Sequence, residues 1–122
     1  MSTSLKTLII GASVHPWRYS YMAAARLLDA GHEIVLIGSR PGEVLDETIQ
    51  TGHPPLEGIH TVTLYINPSH QQEYADYILG LKPKRVIFNP GTENPILAAR
   101  LHEAGVEVIP ACTLVMLSAD VY

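Results

Sequence analysis

Apolar residues in this chain fall into short continuous runs, each followed by a polar turn and then by an apolar stripe at helical spacing. Leu8 to Ile10 is the first such run and predicts a strand with both faces covered. It ends in Gly11-Ala12-Ser13, and Pro16 keeps the next helix from starting before about Tyr19. That helix carries Met22, Ala23, Leu27 and Ala30 on one stripe, with Ser20 as its expected N-cap and Gly31 as its stop. Glu33 to Ile37 predicts the second strand, whose tip is Gly38-Ser39-Arg40-Pro41-Gly42. Glu43 to His60 is irregular. Val44-Leu45 and Thr48-Ile49 read as two short extended pieces, and Gly52-His53-Pro54-Pro55 as a loop.

Regular patterning resumes with Thr61 to Ile66, a third strand ending in Asn67-Pro68. Ser69 and Gln72 stand at capping-box spacing, which predicts a helix from Ser69 through Tyr74, Tyr77 and Ile78 to Gly80. Arg85 to Phe88 reads as the fourth strand, with Asn89 to Glu93 at its tip. Asn94-Pro95 then opens a helix over Ile96, Leu97, Leu101 and His102, which stops at Gly105. Val106 to Ile109 is the fifth strand, tipped by Pro110 to Thr113, and Leu114 to Leu117 reads as a short closing helix. Strands joined by helical crossovers predict an α/β, Rossmann-like open parallel sheet of five strands, ordered 3-2-1-4-5, with helices on both faces. All five polar tips then lie at the C-terminal strand ends, and the ligand crevice falls at the switch point between the first and fourth strands.

Composition narrows what that crevice holds. At 122 residues, with 47% hydrophobic and 16% charged positions, residues 1–122 read as one domain with an ordinary core. No apolar run reaches membrane-span length, and Met1 to Lys6 lacks a signal-peptide pattern, so a cytoplasmic protein is expected. A net charge of −4 disfavours nucleic acid as the partner. The single cysteine, Cys112, excludes an internal disulfide. None of the six histidines pairs with another at metal-ligand spacing on one helix, so no metal is expected.

Gly11 permits a tight bend, and free backbone amides at the turn and helix start suit phosphate. Ser13, Ser20 and Arg18 can add donors and charge. Only one glycine stands where the dinucleotide fingerprint has three. The second-strand tip, Gly38-Ser39-Arg40, also lacks the acid that accepts the ribose hydroxyl of NAD. A serine and an arginine there suit a phosphorylated ribose, as in NADP or coenzyme A. His15 is the one histidine on a ligand-side turn. Glu93 is open to a role as base or as partner of Arg18, although a carboxylate at a helix start commonly answers the helix dipole. Trp17, Tyr19 and Tyr21 crowd the first turn and can shield a diphosphate or pack a partner. Lys82, Lys84 and Arg85 read as solvated charges at the far end of the sheet.

Gly11-Ala12-Ser13, Pro16, Arg18-Tyr19-Ser20-Tyr21, the Gly38 tip followed by Glu43-Val44-Leu45, Asn89-Pro90-Gly91-Thr92-Glu93-Asn94 and Ala111-Cys112-Thr113 together resemble the small stand-alone CoA-binding domain proteins. These are similar in turn to the N-terminal domain of the succinyl-CoA synthetase α subunit. The resemblance implies coenzyme A or acyl-CoA as ligand. Its diphosphate would lie over the Gly11 to Ser20 turn, the 3′-phosphate near Ser39 and Arg40, the adenine beside Asn67 and Pro68, and the pantetheine arm toward Asn89, Pro90, Gly91 and Thr92. It also implies a binding module without catalysis, acting as carrier, sensor or partner of a larger enzyme, and a mixed disulfide between Cys112 and CoA is one further expectation. Two readings compete with it: a small NADP-binding oxidoreductase subunit, and a domain that only mediates assembly, with a protein partner or as a homo-oligomer.

Overall fold

The computed structural model describes residues 4–122. In chain order they form β1 (Thr7–Ile10), α1 (Tyr19–Asp29), β2 (Ile34–Ile37), β3 (Gly42–Val44), β4 (Glu47–Gln50) and β5 (Thr61–Leu64). A 3-10 turn at Pro68–His70 leads to α2 (Gln72–Leu81), followed by β6 (Arg85–Phe88), α3 (Pro95–Glu103), β7 (Glu107–Pro110) and α4 (Thr113–Ser118). The fold is Rossmann-like α/β, built on one seven-stranded sheet ordered β3-β4-β2-β1-β5-β6-β7. All neighbours pair in parallel except β3 with β4.

The strand order departs from the expected five-stranded 3-2-1-4-5 at one place. Thr61–Leu64 does not lie outside β2; it pairs with β1, from Thr7↔Thr61 to Ile10↔Leu64. The position outside β2 is taken by β4, which belongs to the segment the hydrophobic pattern leaves irregular. Leu45 and Asp46, both at positive φ (50° and 69°), make a two-residue turn that folds β3 back on β4 as a hairpin. With β4 counted as third, the six parallel strands run 3-2-1-4-5-6, the dinucleotide-fold order. The switch point therefore lies between β1 and β5, not between β1 and Arg85–Phe88.

Alternation along the strands divides the core. Leu8, Ile10, Val62, Leu64, Val86 and Phe88 face α2 and α3, meeting Ala75, Ile78, Leu97 and Leu101. Ile9, Ile34, Leu36 and Ile49 face α1, meeting Ala24 and Leu27. The link from β4 to β5 contains Gly52, Pro54, Pro55 and Gly58 and forms no helix. It is held on the α2 side by Ile59 in the core, by the Tyr77 hydroxyl donating to the Pro54 carbonyl (2.6 Å), and by His53 stacked on Tyr77.

Helix ends follow local chemistry, with two corrections. Arg18 rather than Ser20 is the N-cap of α1, without a side-chain bond, and Ser20 is buried within the first turn, as its second residue. Asn67 rather than Ser69 caps the turn after β5, accepting from the Ser69 amide, and α2 starts only at Gln72. At α3 the expected Asn94-Pro95 start holds, with Asn94 Oδ1 accepting from the Leu97 amide at 3.1 Å.

The far end of the sheet holds a third difference. Arg85 is buried at 8% exposure rather than solvated. Its Nε donates to Thr61 Oγ1 (2.8 Å), its guanidinium lies 4.4 Å from the centroid of the Tyr122 ring, and its Nη2 has no partner. Burial first and this guanidinium second hold His32 below the usual imidazole range. The same two causes, with Lys84 adding to them and Glu107 opposing, act on His60. A histidine whose folded pKa is depressed binds fewer protons folded than unfolded. The stability is then complete above about pH 6.5 and falls as the pH drops toward the folded values. Urea midpoints at about pH 7.5 and about pH 5 should show the acid sample less stable, and a His32→Asn/His60→Asn double variant should flatten that difference. An undiminished drop in the double variant would assign it to the carboxylates instead.

Candidate functional site

The turn after β1 is held by Gly11 and Ala12, whose amides both donate to the Ile37 carbonyl (2.9 and 3.0 Å). This ties the first turn to the tip of β2. Gly38 must be glycine for that approach, since a Cβ there would sit 2.6 Å from the Ala12 carbonyl oxygen. Val14 reaches over to Gly42 at the start of β3, filling the space a side chain would need. The hairpin outside β2 thus braces the first turn from the side.

Ser13 Oγ accepts from the His15 amide (3.1 Å), and the Arg18 amide donates to the His15 carbonyl. Among the described residues, the amides of Ser13, Val14, Tyr19 and Ser20 donate to no protein acceptor. Helix N-termini leave such donors unsatisfied, and with the positive end of the α1 dipole they favour an anion. The imidazole of His15 stacks on Trp17 with centroids 4.6 Å apart. Trp17 and Tyr19 are about 70% exposed at the rim.

These elements enclose a cavity of about 710 Å³ at the C-terminal ends of β4, β2, β1 and β5. Of the residues singled out from the sequence, Gly11, Ala12, Ser13, Arg18, Gly38, Ser39, Arg40 and Asn67 line it, as does His15. Tyr19, Ser20 and Pro68 flank the lining residues without joining them, and the cavity does not reach the β6 and β7 tips. At the β6 tip, Asn89 and Thr92 are buried, while Pro90 and Gly91 are exposed. Glu93 accepts from the Gly91 amide (2.9 Å) and forms no ion pair with Arg18 among the described residues. Cys112 is half-buried and precedes α4.

On the β5 side of the cavity, sequence reasoning found Asn67 but missed Tyr65, Ile66, His70, Glu73 and Tyr74. The missing signal was strand order: once Thr61–Leu64 stands beside β1, whatever follows it must border the crevice. Burial pushes the Tyr65 phenol up to about 12, and its hydroxyl has no partner although Thr63 and Thr113 lie near it. It stays protonated at neutral pH. The arrangement as a whole offers two guanidinium groups, free amides and hydroxyls around a concave floor, which is the donor set a polyphosphate requires. Among the described residues, no cluster of histidine, cysteine and carboxylate side chains could hold a metal, and no helix is long and apolar enough to cross a membrane.

The family profile described as "CoA binding domain" matches residues 6–118, which spans the whole sheet and all four helices. The chain belongs to the CoA-binding domain family. A crystal structure of an uncharacterized protein is similar at 54% identity and a TM-score of 0.96, with 99% of this chain and 100% of that one covered. A hypothetical protein from Pyrococcus horikoshii OT3 shares the fold at 23% identity and a TM-score of 0.86, covering 95% of this chain and 83% of its own. Aspartate semialdehyde dehydrogenase II from Vibrio cholerae shares the fold more distantly, at 13% identity and a TM-score of 0.54, over 88% of this chain and 38% of the enzyme. No curated protein matches the chain. Membership in the CoA-binding domain family and the donor set of the cavity agree on a CoA-type ligand.

Proposed function

We propose that this chain is a single module that binds coenzyme A or an acyl-CoA at the C-terminal strand ends and carries out no chemistry on it, serving as carrier, sensor or partner of a larger enzyme. The observation that supports this most is the cavity floor, where Arg18 and the free amides of the β1 turn meet Arg40 from the tip of β2. In this reading the diphosphate rests on the Gly11 to Ser20 turn and the start of α1. Ser39 and Arg40, both exposed at the β2 tip, take the 3′-phosphate. The adenine lies toward Asn67 and Pro68, and the pantetheine arm leaves toward Pro90 and Gly91.

The same β2 tip suits the 2′-phosphate of NADP, so ligand preference separates the readings. Thermal melting of the full chain with CoA, dephospho-CoA, NADP and NAD should show the largest rise with CoA. A larger rise with NADP would overturn the proposal in favour of a small oxidoreductase subunit. No response to any of the four, with a stable oligomer in solution, would favour an assembly role. An acyl-CoA recovered intact after incubation is the outcome expected of a non-catalytic module. Arg40→Ala should weaken CoA binding by about tenfold, the size of one charge-assisted hydrogen bond, and leave dephospho-CoA unchanged. Equal losses for both ligands would remove Arg40 from the 3′-phosphate.

A further inference from the structure

The charges around the cavity are sorted by side. Strand order sets Arg40 after β2 and Arg18 with His15 after β1, whereas the β5 side carries Asn67, His70, Glu73 and Tyr74. Glu73 is the one carboxylate among the lining residues. It stands in the first turn of α2, is exposed, and forms no ion pair with His70 or either arginine among the described residues. Beside it, the Tyr74 ring is backed by His53 at 5.1 Å, and His53 is itself stacked on Tyr77. Burial and the neighbouring carboxylate both raise the Tyr74 phenol, so it remains a neutral, flat wall.

A ligand that carries phosphates keeps them on the arginine side, and in the CoA-type reading its base, lying toward Asn67, then faces Glu73. An ionised carboxylate only accepts hydrogen bonds. It therefore rewards an amino group at that end and penalises a carbonyl, whose lone pairs would face it without a proton between. Adenine presents an exocyclic amine at its 6-position. Hypoxanthine and guanine present an oxygen there, and offer the carboxylate a proton only by shifting so that their N1–H takes the place of the amine.

We propose that Glu73 is a specificity-determining residue that reads the exocyclic amine of the ligand's base, so that the site takes 6-aminopurine nucleotides and rejects 6-oxopurine nucleotides. This rests on the CoA-type reading above and goes beyond it, because a phosphate clamp alone would accept either base. The test is calorimetric titration of the full chain with adenosine 3′,5′-bisphosphate and with its inosine counterpart. The wild type should bind the adenosine form at least about tenfold more tightly. Glu73→Ala should bring the two within about twofold by weakening the adenosine form, and Glu73→Gln, whose amide both donates and accepts, should close the gap by strengthening the inosine form. Equal binding of both nucleotides by the wild type, or a preference that survives in Glu73→Ala, would overturn the role of Glu73 and leave the CoA-type reading standing. Binding of neither nucleotide would overturn both.

Discussion

Gly11→Ala should cost about 3 kcal/mol of unfolding free energy, read as a lower urea midpoint at unchanged slope. Two separate penalties meet at this residue. Its φ of +99° lies where an L side chain is strained, by about 1–2 kcal/mol. A Cβ built there would also stand 2.7 Å from the Tyr65 carbonyl oxygen and 2.8 Å from its carbon, which are main-chain atoms that cannot swing aside. Relieving that overlap means moving β1 away from the continuation of β5, where the Tyr65 amide donates to Ile10 at 2.8 Å. Gly31→Ala separates the two penalties, because Gly31 has a φ of +88° but nothing within 4 Å of its Cβ position. It should lose only the conformational part, about 1–2 kcal/mol. Equal losses in the two variants would show that the close approach at the switch point has no energetic weight. The same contact shapes the cavity, since Gly11, Tyr65 and Ile66 all line it.

That contact also marks the limit of what the sequence discloses. The apolar runs at Leu8, Val35, Val62, Val86 and Val108 reported strands, and Gly31, Gly105 and Asn94-Pro95 reported helix boundaries, because those signals are local, whereas Gly80, read as a stop, lies inside α2. The fold class and the polar tips at one end of the sheet follow from them. Strand order is not local. Nothing in Thr61–Leu64 states which neighbour it prefers, and the decision was made by β4, a four-residue strand whose only apolar core contact is Ile49. Once the hairpin of Gly42–Gln50 occupies the edge, β5 moves beside β1 and brings Tyr65, His70, Glu73 and Tyr74 to the crevice. The β1 and β2 halves of the site were legible because their phosphate-binding chemistry sits on the tips themselves. On the β5 side only Asn67 was legible in this way, and the rest depended on topology. Arg85 was misread for a related reason: its charge predicts solvent, but the Tyr122 ring covers it from a position 37 residues further along the chain.

Asn89 shows how a polar tip residue can be committed to the scaffold rather than left open to solvent. Its Nδ2 donates to Thr63 Oγ1 (2.7 Å) and to the Leu64 carbonyl (2.8 Å), and its Oδ1 accepts from the Thr113 amide (2.9 Å). Its own carbonyl accepts from the Thr92 hydroxyl at 2.7 Å, and Thr63 and Thr113 are joined at 2.8 Å. One side chain, 2% exposed, thereby ties the ends of β5 and β6 to the first residue of α4. Asn89→Ala would leave the Leu64 carbonyl and the Thr113 amide without this buried partner, at about 1–3 kcal/mol for each group left unsatisfied. The expected loss is about 3 kcal/mol in urea unfolding of the unliganded protein, with α4 the first element to lose amide protection in hydrogen exchange. A residue that served only to touch a ligand would leave unliganded stability within about 0.5 kcal/mol on the same substitution. That result would move Asn89 from the scaffold to the ligand, whereas the larger loss would make the β6 tip a fixed wall past which any bound molecule must leave along Pro90 and Gly91.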